Sequence, residues 1–194
     1  VSAGTASLVR FNTATPGTSS SVTVTVGATE LLVGIDYRPN TGQLFALGVN
    51  TSGTGTLYVI NPQNSGTATV VGTTGGVTIT GGLPDPTNAR YGFDFNPTVD
   101  AIRVVTSGGH SFTISPTSGL VTASAPAING DVGAAVAAAY TNSFGQASGV
   151  GAATTLYVLN AASNSLLIQN ATTSETTRVA QLTLGGSLLD FSNV

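Results

Sequence analysis

The chain has 194 residues, of which 41% are hydrophobic and only 7% charged, with a net charge of −3 at pH 7. Disordered chains combine low hydrophobicity with high net charge, so this composition belongs to a folded domain; all five cationic residues are arginine and none forms a basic run, which removes the electrostatic footprint of a nucleic-acid binder. Without cysteine there is no disulfide, thiolate metal site or cysteine nucleophile, and the longest apolar stretch, VGAAVAAAY from Val132, is far short of the roughly 18 residues of a membrane span.

In chain order, β-branched and aromatic runs alternate with turn residues, which is the signal of short strands and hairpins. ASLVRFN (6–12) and SVTVTVG (21–27) read as an N-terminal hairpin. A first unit, about 30–72, opens with GIDYRP and continues through GQLFALG, GTLYVIN and TATVVG. A second, about 90–125, opens with GFDFNP and continues through AIRVVTS, HSFTISP and GLVTAS. A third, about 132–184, runs from AAAYTN through TTLYVLN, NSLLIQN and TRVAQLTL, and the strand SLLDFSNV (187–194) follows.

The units repeat. GIDYRPNTGQLFAL, from Gly34, overlays GFDFNPTVDAIRVV, from Gly92, without a gap, placing Gly34 on Gly92, Asp36 on Asp94, Tyr37 on Phe95, Pro39 on Pro97 and Leu44 on Ile102. A degenerate third copy puts Tyr140 at the aromatic position and Ala139 at the acid's; a fourth restores the acid as Asp190. The acid positions lie 58, 45 and 51 residues apart, close to the roughly 40 to 50 residues of a four-stranded propeller blade. The expectation is an all-β, small propeller-like repeat of about four antiparallel blades in one domain, 1–194. Its closing blade is a composite of 6–27 and 187–194. That blade counts only three strands, and an unpaired strand edge is a template for another chain.

The phrases SLVRFNTATPG, GIDYRP, TLYVINPQNSGTATVVG, GFDFNPTVDAIRVV and TTLYVLN together resemble a family of bacterial secreted domains known only as a domain of unknown function and grouped with β-propellers. The resemblance covers nearly the whole chain. It implies a propeller-like fold and extracellular placement, and no activity. Extracellular or cell-surface placement also fits a lysine-free composition rich in Ser, Thr, Gly and Asn, and a chain beginning at Val1 is compatible with a removed signal peptide.

Two readings of the acids compete. Asp36, Asp94 and Asp190 could ring a channel and hold a cation, or each could accept hydrogen bonds from turn backbone or from a neighbouring blade's arginine, as a structural brace. The brace is preferred, because Ala139 interrupts a ring of ligands. Arg38, Asn96, Asp100 and Arg103 are assigned to the same bracing set: Arg38 or Arg90 is expected to clamp Asp94 or Asp100 between blades, with anion binding by an arginine as the sharper alternative. His110 is the sole histidine, and Ser111 beside it points to the opposite strand face, so no triad is expected. Glu30 and Glu175 stand isolated. Asn50 and Asn170 open N-x-S/T acceptor patterns, which a chain rich in Ser and Thr produces by chance.

Three functions are weighed. The first is an exported, non-enzymatic structural protein that assembles with copies of itself into a filament or surface layer. Low charge removes the repulsion that keeps proteins apart. The second is an extracellular binding module for a glycan, peptide or ion, and the third a metal-dependent propeller hydrolase. The first is preferred; it needs no cofactor and no nucleic acid.

Overall fold

The computed structural model describes residues 2–63, 66–130, 135–145 and 153–189, and every regular element among them is a β-strand. The chain opens with an antiparallel hairpin, β1 (Thr5–Asn12) and β2 (Thr15–Thr25). Three antiparallel meanders follow. The first sheet is β3 (Glu30–Tyr37), β4 (Leu44–Asn50), β5 (Gly55–Asn61) and β6 (Thr67–Val71), in that spatial order. The second is β7 (Tyr91–Asn96), β8 (Ala101–Thr106), β9 (Ser111–Ile114) and β10 (Val121–Ser124), again in order.

The third sheet gains a strand that the sequence pattern does not announce. The two-residue β11 (Asn129–Gly130) pairs in parallel with the outer edge of the meander β12 (Ala135–Tyr140), β13 (Leu156–Asn160), β14 (Ser165–Gln169) and β15 (Glu175–Gln181). The all-β, antiparallel expectation holds at this level. The alanine-rich AVAAAY is a strand, as its alignment with the other first strands requires.

The meanders stack with cores on both faces. Val24, Leu44, Ala46, Tyr58 and Ile60 join the N-terminal hairpin to the first sheet. Phe45, Leu47, Phe93, Phe95, Ile102 and Phe112 join the first sheet to the second, with the Phe45 and Phe95 rings edge to face at 5.2 Å. Val105, Tyr140, Leu156, Val158 and Leu167 join the second to the third. Two-sided burial explains why LFALGVN reads as an unbroken apolar run: six of its seven residues are buried.

Asparagine ends the strands. The side-chain oxygens of Asn12, Asn50, Asn61, Asn96, Asn160 and Asn170 each accept the N–H two residues on. Such Asx turns supply a local partner to backbone that has left the ladder.

The C-terminal segment departs from the expected closing strand. The run TRVAQLTL breaks after Gln181, and β16 (Thr183–Leu184) pairs with β17 (Ser187–Leu188) around Gly185 and Gly186, with φ of +59° and +85°. Left-handed φ at both central residues is what a tight hairpin needs and what glycine supplies. Leu189 N–H closes the hairpin on Leu182 O at 2.9 Å. Among the described residues, strand 187–189 therefore pairs with β16 and not with 6–27. Asp190 and the residues after it lie outside the described residues.

Candidate functional site

The repeated G-x-D-aromatic phrase lies on the first strand of each meander, and those strands sit side by side: β3 against β7, and β7 against β12. Alternation along a strand puts Gly34 and Asp36 on one face, and Gly92 and Asp94 likewise. A Cβ at Gly34 would stand 2.4 Å from Phe93 Cβ, and one at Gly92 would stand 2.5 Å from the Ala138 backbone nitrogen. Each glycine thus marks the place where the next meander's first strand presses closest.

Two residues on, the acid fastens that strand. Asp36 Oδ2 accepts the Phe95 N–H at 2.8 Å, and Asp94 Oδ2 accepts the Tyr140 N–H at 2.6 Å. In both cases the donor is the aromatic position of the next copy, so the hook advances one copy per sheet. The third copy has Ala137 and Ala139 where glycine and acid stood.

The two acids also meet each other. Burial pushes the Asp94 carboxyl up to about 7, reinforced by the Asp36 charge and by donation of the shared proton to Asp36, while the Tyr140 N–H opposes the shift. Burial raises Asp36 as well, against the lowering pull of the Phe95 and Tyr37 N–H groups and the bond from Asp94. Below about pH 7 the Asp94 carboxyl keeps its proton and can donate it to Asp36. Both Asp36 oxygens are engaged by backbone N–H groups, and no cluster of three or more acids or histidines suited to a metal occurs among the described residues.

Arg38 finds Asp100, one of the two acids expected for it. The Nε lies 2.9 Å and 3.2 Å from the two carboxylate oxygens, and Nη2 adds a third contact. This fork clamps the end of β3 to the turn after β7, where Asp100 takes a φ of +51°, and the Arg38 guanidinium holds the Asp100 carboxyl below its usual range. Asn96 ends β7 and takes the Thr98 N–H and hydroxyl.

Arg103 is buried and has neutral acceptors instead of an acid: Ser111 Oγ at 3.0 Å and the Ala171 carbonyl at 2.9 Å, with Nε 3.4 Å from the Tyr140 hydroxyl. It ties the second sheet to the third. Ser111 Oγ also accepts from Gln169 at 3.1 Å, and His110 faces Thr106 in the β8–β9 turn. Serine and histidine are therefore occupied with different partners.

Glu30 carries more than sequence reading assigned it. It is buried, and its carboxylate accepts the Thr56 hydroxyl at 2.6 Å and the Tyr58 hydroxyl at 2.7 Å. The Gly27 N–H donates to that same tyrosine oxygen at 3.0 Å, so the acid anchors the entry to β3. The available signal was a lone acid opening an apolar strand in a chain nearly free of charge. Asn50 and Asn170 both cap turns through their side-chain oxygens.

The chain belongs to the family described as a domain of unknown function (DUF4394), whose model matches residues 7–191. Among curated proteins, none matches the chain.

Proposed function

We propose that this member of the family is an exported, non-enzymatic structural protein that assembles with copies of itself into an extracellular filament or surface layer. In this reading its meanders are blades of a small propeller-like repeat. One observation carries it. Ile35 and Tyr37 are 48% and 54% exposed, whereas the equivalent Phe93 and Phe95 in the next copy are 7% and 0% exposed. A repeat face that is covered in one copy and bare in another is a surface made to be covered.

Three further features support the reading. Val9 and Phe11 on β1 and Leu184 and Leu188 on the C-terminal hairpin are also exposed, and so little charge opposes association. Asp36, Asp94 and Asp100 are engaged in fastening one sheet to the next, which fits bracing better than chemistry. No helix among the described residues is long and apolar enough to cross a membrane. A second reading, an extracellular binding module, draws on the apolar groove of about 260 Å³ beside Phe11 and Tyr37, where an extended peptide or glycan would lie. Light scattering and negative-stain microscopy across a concentration series test the proposal. Growth of ordered assemblies supports self-assembly, and a persistent monomer at high concentration overturns it.

A further inference from the structure

A polar cleft of about 510 Å³ is lined by residues of both the second and the third sheet. The second contributes Asn96 at the end of β7. The third contributes the row Tyr140, Leu156 and Gln169, paired across β12, β13 and β14, with Asn170 and Ala171 beyond it. The volume falls within the range of small-molecule pockets, about 300–1,000 Å³.

What these side chains have left to offer is mostly donors. Asn96 Oδ1 already accepts the N–H and the hydroxyl of Thr98, and Asn170 Oδ1 accepts the Thr172 and Thr173 N–H groups. Each amide therefore has its Nδ2 hydrogens to give, and an amide nitrogen does not accept. The Tyr140 oxygen faces Arg103 Nε at 3.4 Å, which leaves the phenol proton for another acceptor. Among the described residues no acid lines the cleft.

Behind this lining stands a charge. Arg103 is 7% exposed and bonds to two of the lining residues, Tyr140 and Ala171. It makes no ion pair with a described acid; Asp94, its neighbour across β7 and β8, directs its carboxyl to the Tyr140 N–H and to Asp36. A buried guanidinium without a counter-charge is costly, and an anion close by in a medium of low dielectric offsets that cost. One acceptor is also left over. Gln169 is 2% exposed, its Nε2 donates to Ser111 Oγ, and its Oε1 has no partner in the fold. Buried polar atoms are nearly always paired, so this oxygen calls for a donor.

We propose that this cleft binds an acidic sugar, its carboxylate facing the Tyr140, Asn96 and Asn170 donors in the field of Arg103, and one of its hydroxyls donating to Gln169 Oε1. A bare oxyanion meets the donors but turns lone pairs on the Gln169 oxygen. A neutral sugar satisfies that oxygen but leaves the guanidinium uncompensated. A sugar acid does both. The site lies within one chain and does not rest on self-assembly.

Isothermal titration calorimetry with galacturonate, galactose and sodium sulfate at matched ionic strength tests the site. Galacturonate is expected to bind saturably, and galactose and sulfate at least about tenfold more weakly. Asn170→Asp keeps both turn bonds, because a carboxylate oxygen accepts as the amide oxygen does, and puts a negative charge where the donor was. It should weaken galacturonate binding by at least about tenfold. Tyr140→Phe removes only the hydroxyl and should weaken it several-fold. Circular dichroism establishes that each variant is folded; Asn170 is exposed, so its substitution keeps the test decisive should the buried Tyr140 variant unfold. Galacturonate that does not bind, or binds no better than galactose or sulfate, overturns the inference. Unchanged galacturonate affinity in Asn170→Asp overturns it as well.

Discussion

Asp94→Asn is the most informative substitution in the Asp36–Asp94 pair, because asparagine reproduces both of its bonds without a titrating proton. Its side-chain oxygen can accept the Tyr140 N–H and its amide can donate to Asp36. In the wild type the Asp94 carboxyl is pushed up to about 7 from an ordinary 3.8. Between those values the folded protein binds a proton that the unfolded chain has released, so stability falls as pH rises from about 4 and the contribution is gone above about 7. The raised Asp36 acts in the same direction. From pH 5 to pH 8 about two units of the difference are lost, nominally about 2.7 kcal/mol, which partial solvent exposure reduces to about 1.5 kcal/mol. For a domain of this size that is a fall of about 3–6 °C in Tm. The assay is thermal unfolding of dilute protein followed by circular dichroism at the two pH values. Wild type should lose several degrees between them and Asp94→Asn should lose little. Equal slopes in the two proteins, or a wild-type Tm that rises over this range, would refute the shared-proton account.

Other substitutions test neighbouring parts of the same construction. Gly92→Ala drives a Cβ into the Ala138 backbone and should cost about 1–3 kcal/mol in denaturant unfolding; Gly34→Ala, whose Cβ would stand 2.4 Å from Phe93 Cβ, an atom held by the backbone, should cost a similar amount. Glu30→Leu strands the buried Thr56 and Tyr58 hydroxyls and should destabilise by at least about 2 kcal/mol. Arg38→Ala breaks a partly exposed fork and should cost less than about 1 kcal/mol, an effect that shrinks further in high salt.

The strands were legible because two-sided burial writes long β-branched runs, and asparagine, glycine and proline punctuate them. The repeat was legible because Gly34 and Gly92 answer the same steric demand, and Asp36 and Asp94 each meet the aromatic N–H of the following copy. What the acids touch was not legible. A carboxylate reaching the N–H of an aromatic 59 residues on leaves no trace in local pattern, and neither does proton sharing between Asp36 and Asp94. Glu30 went unassigned because its partners, Thr56 and Tyr58, come from β5, two strands away in the sheet. The partner of the strand at Ser187–Leu188 was not legible: similarity of LLDFSN to the earlier copies pointed to the N-terminal hairpin, whereas it pairs with Thr183–Leu184 across Gly185-Gly186.

Amide hydrogen exchange, resolved residue by residue by NMR, bears most directly on the claim that each acid fastens the next sheet's first strand. In the wild type the Phe95 and Tyr140 amides should be strongly protected. Asp36→Ala should release Phe95 while Tyr140 keeps its protection, and Asp94→Ala should do the reverse. Unchanged protection of Phe95 in Asp36→Ala would contradict the account.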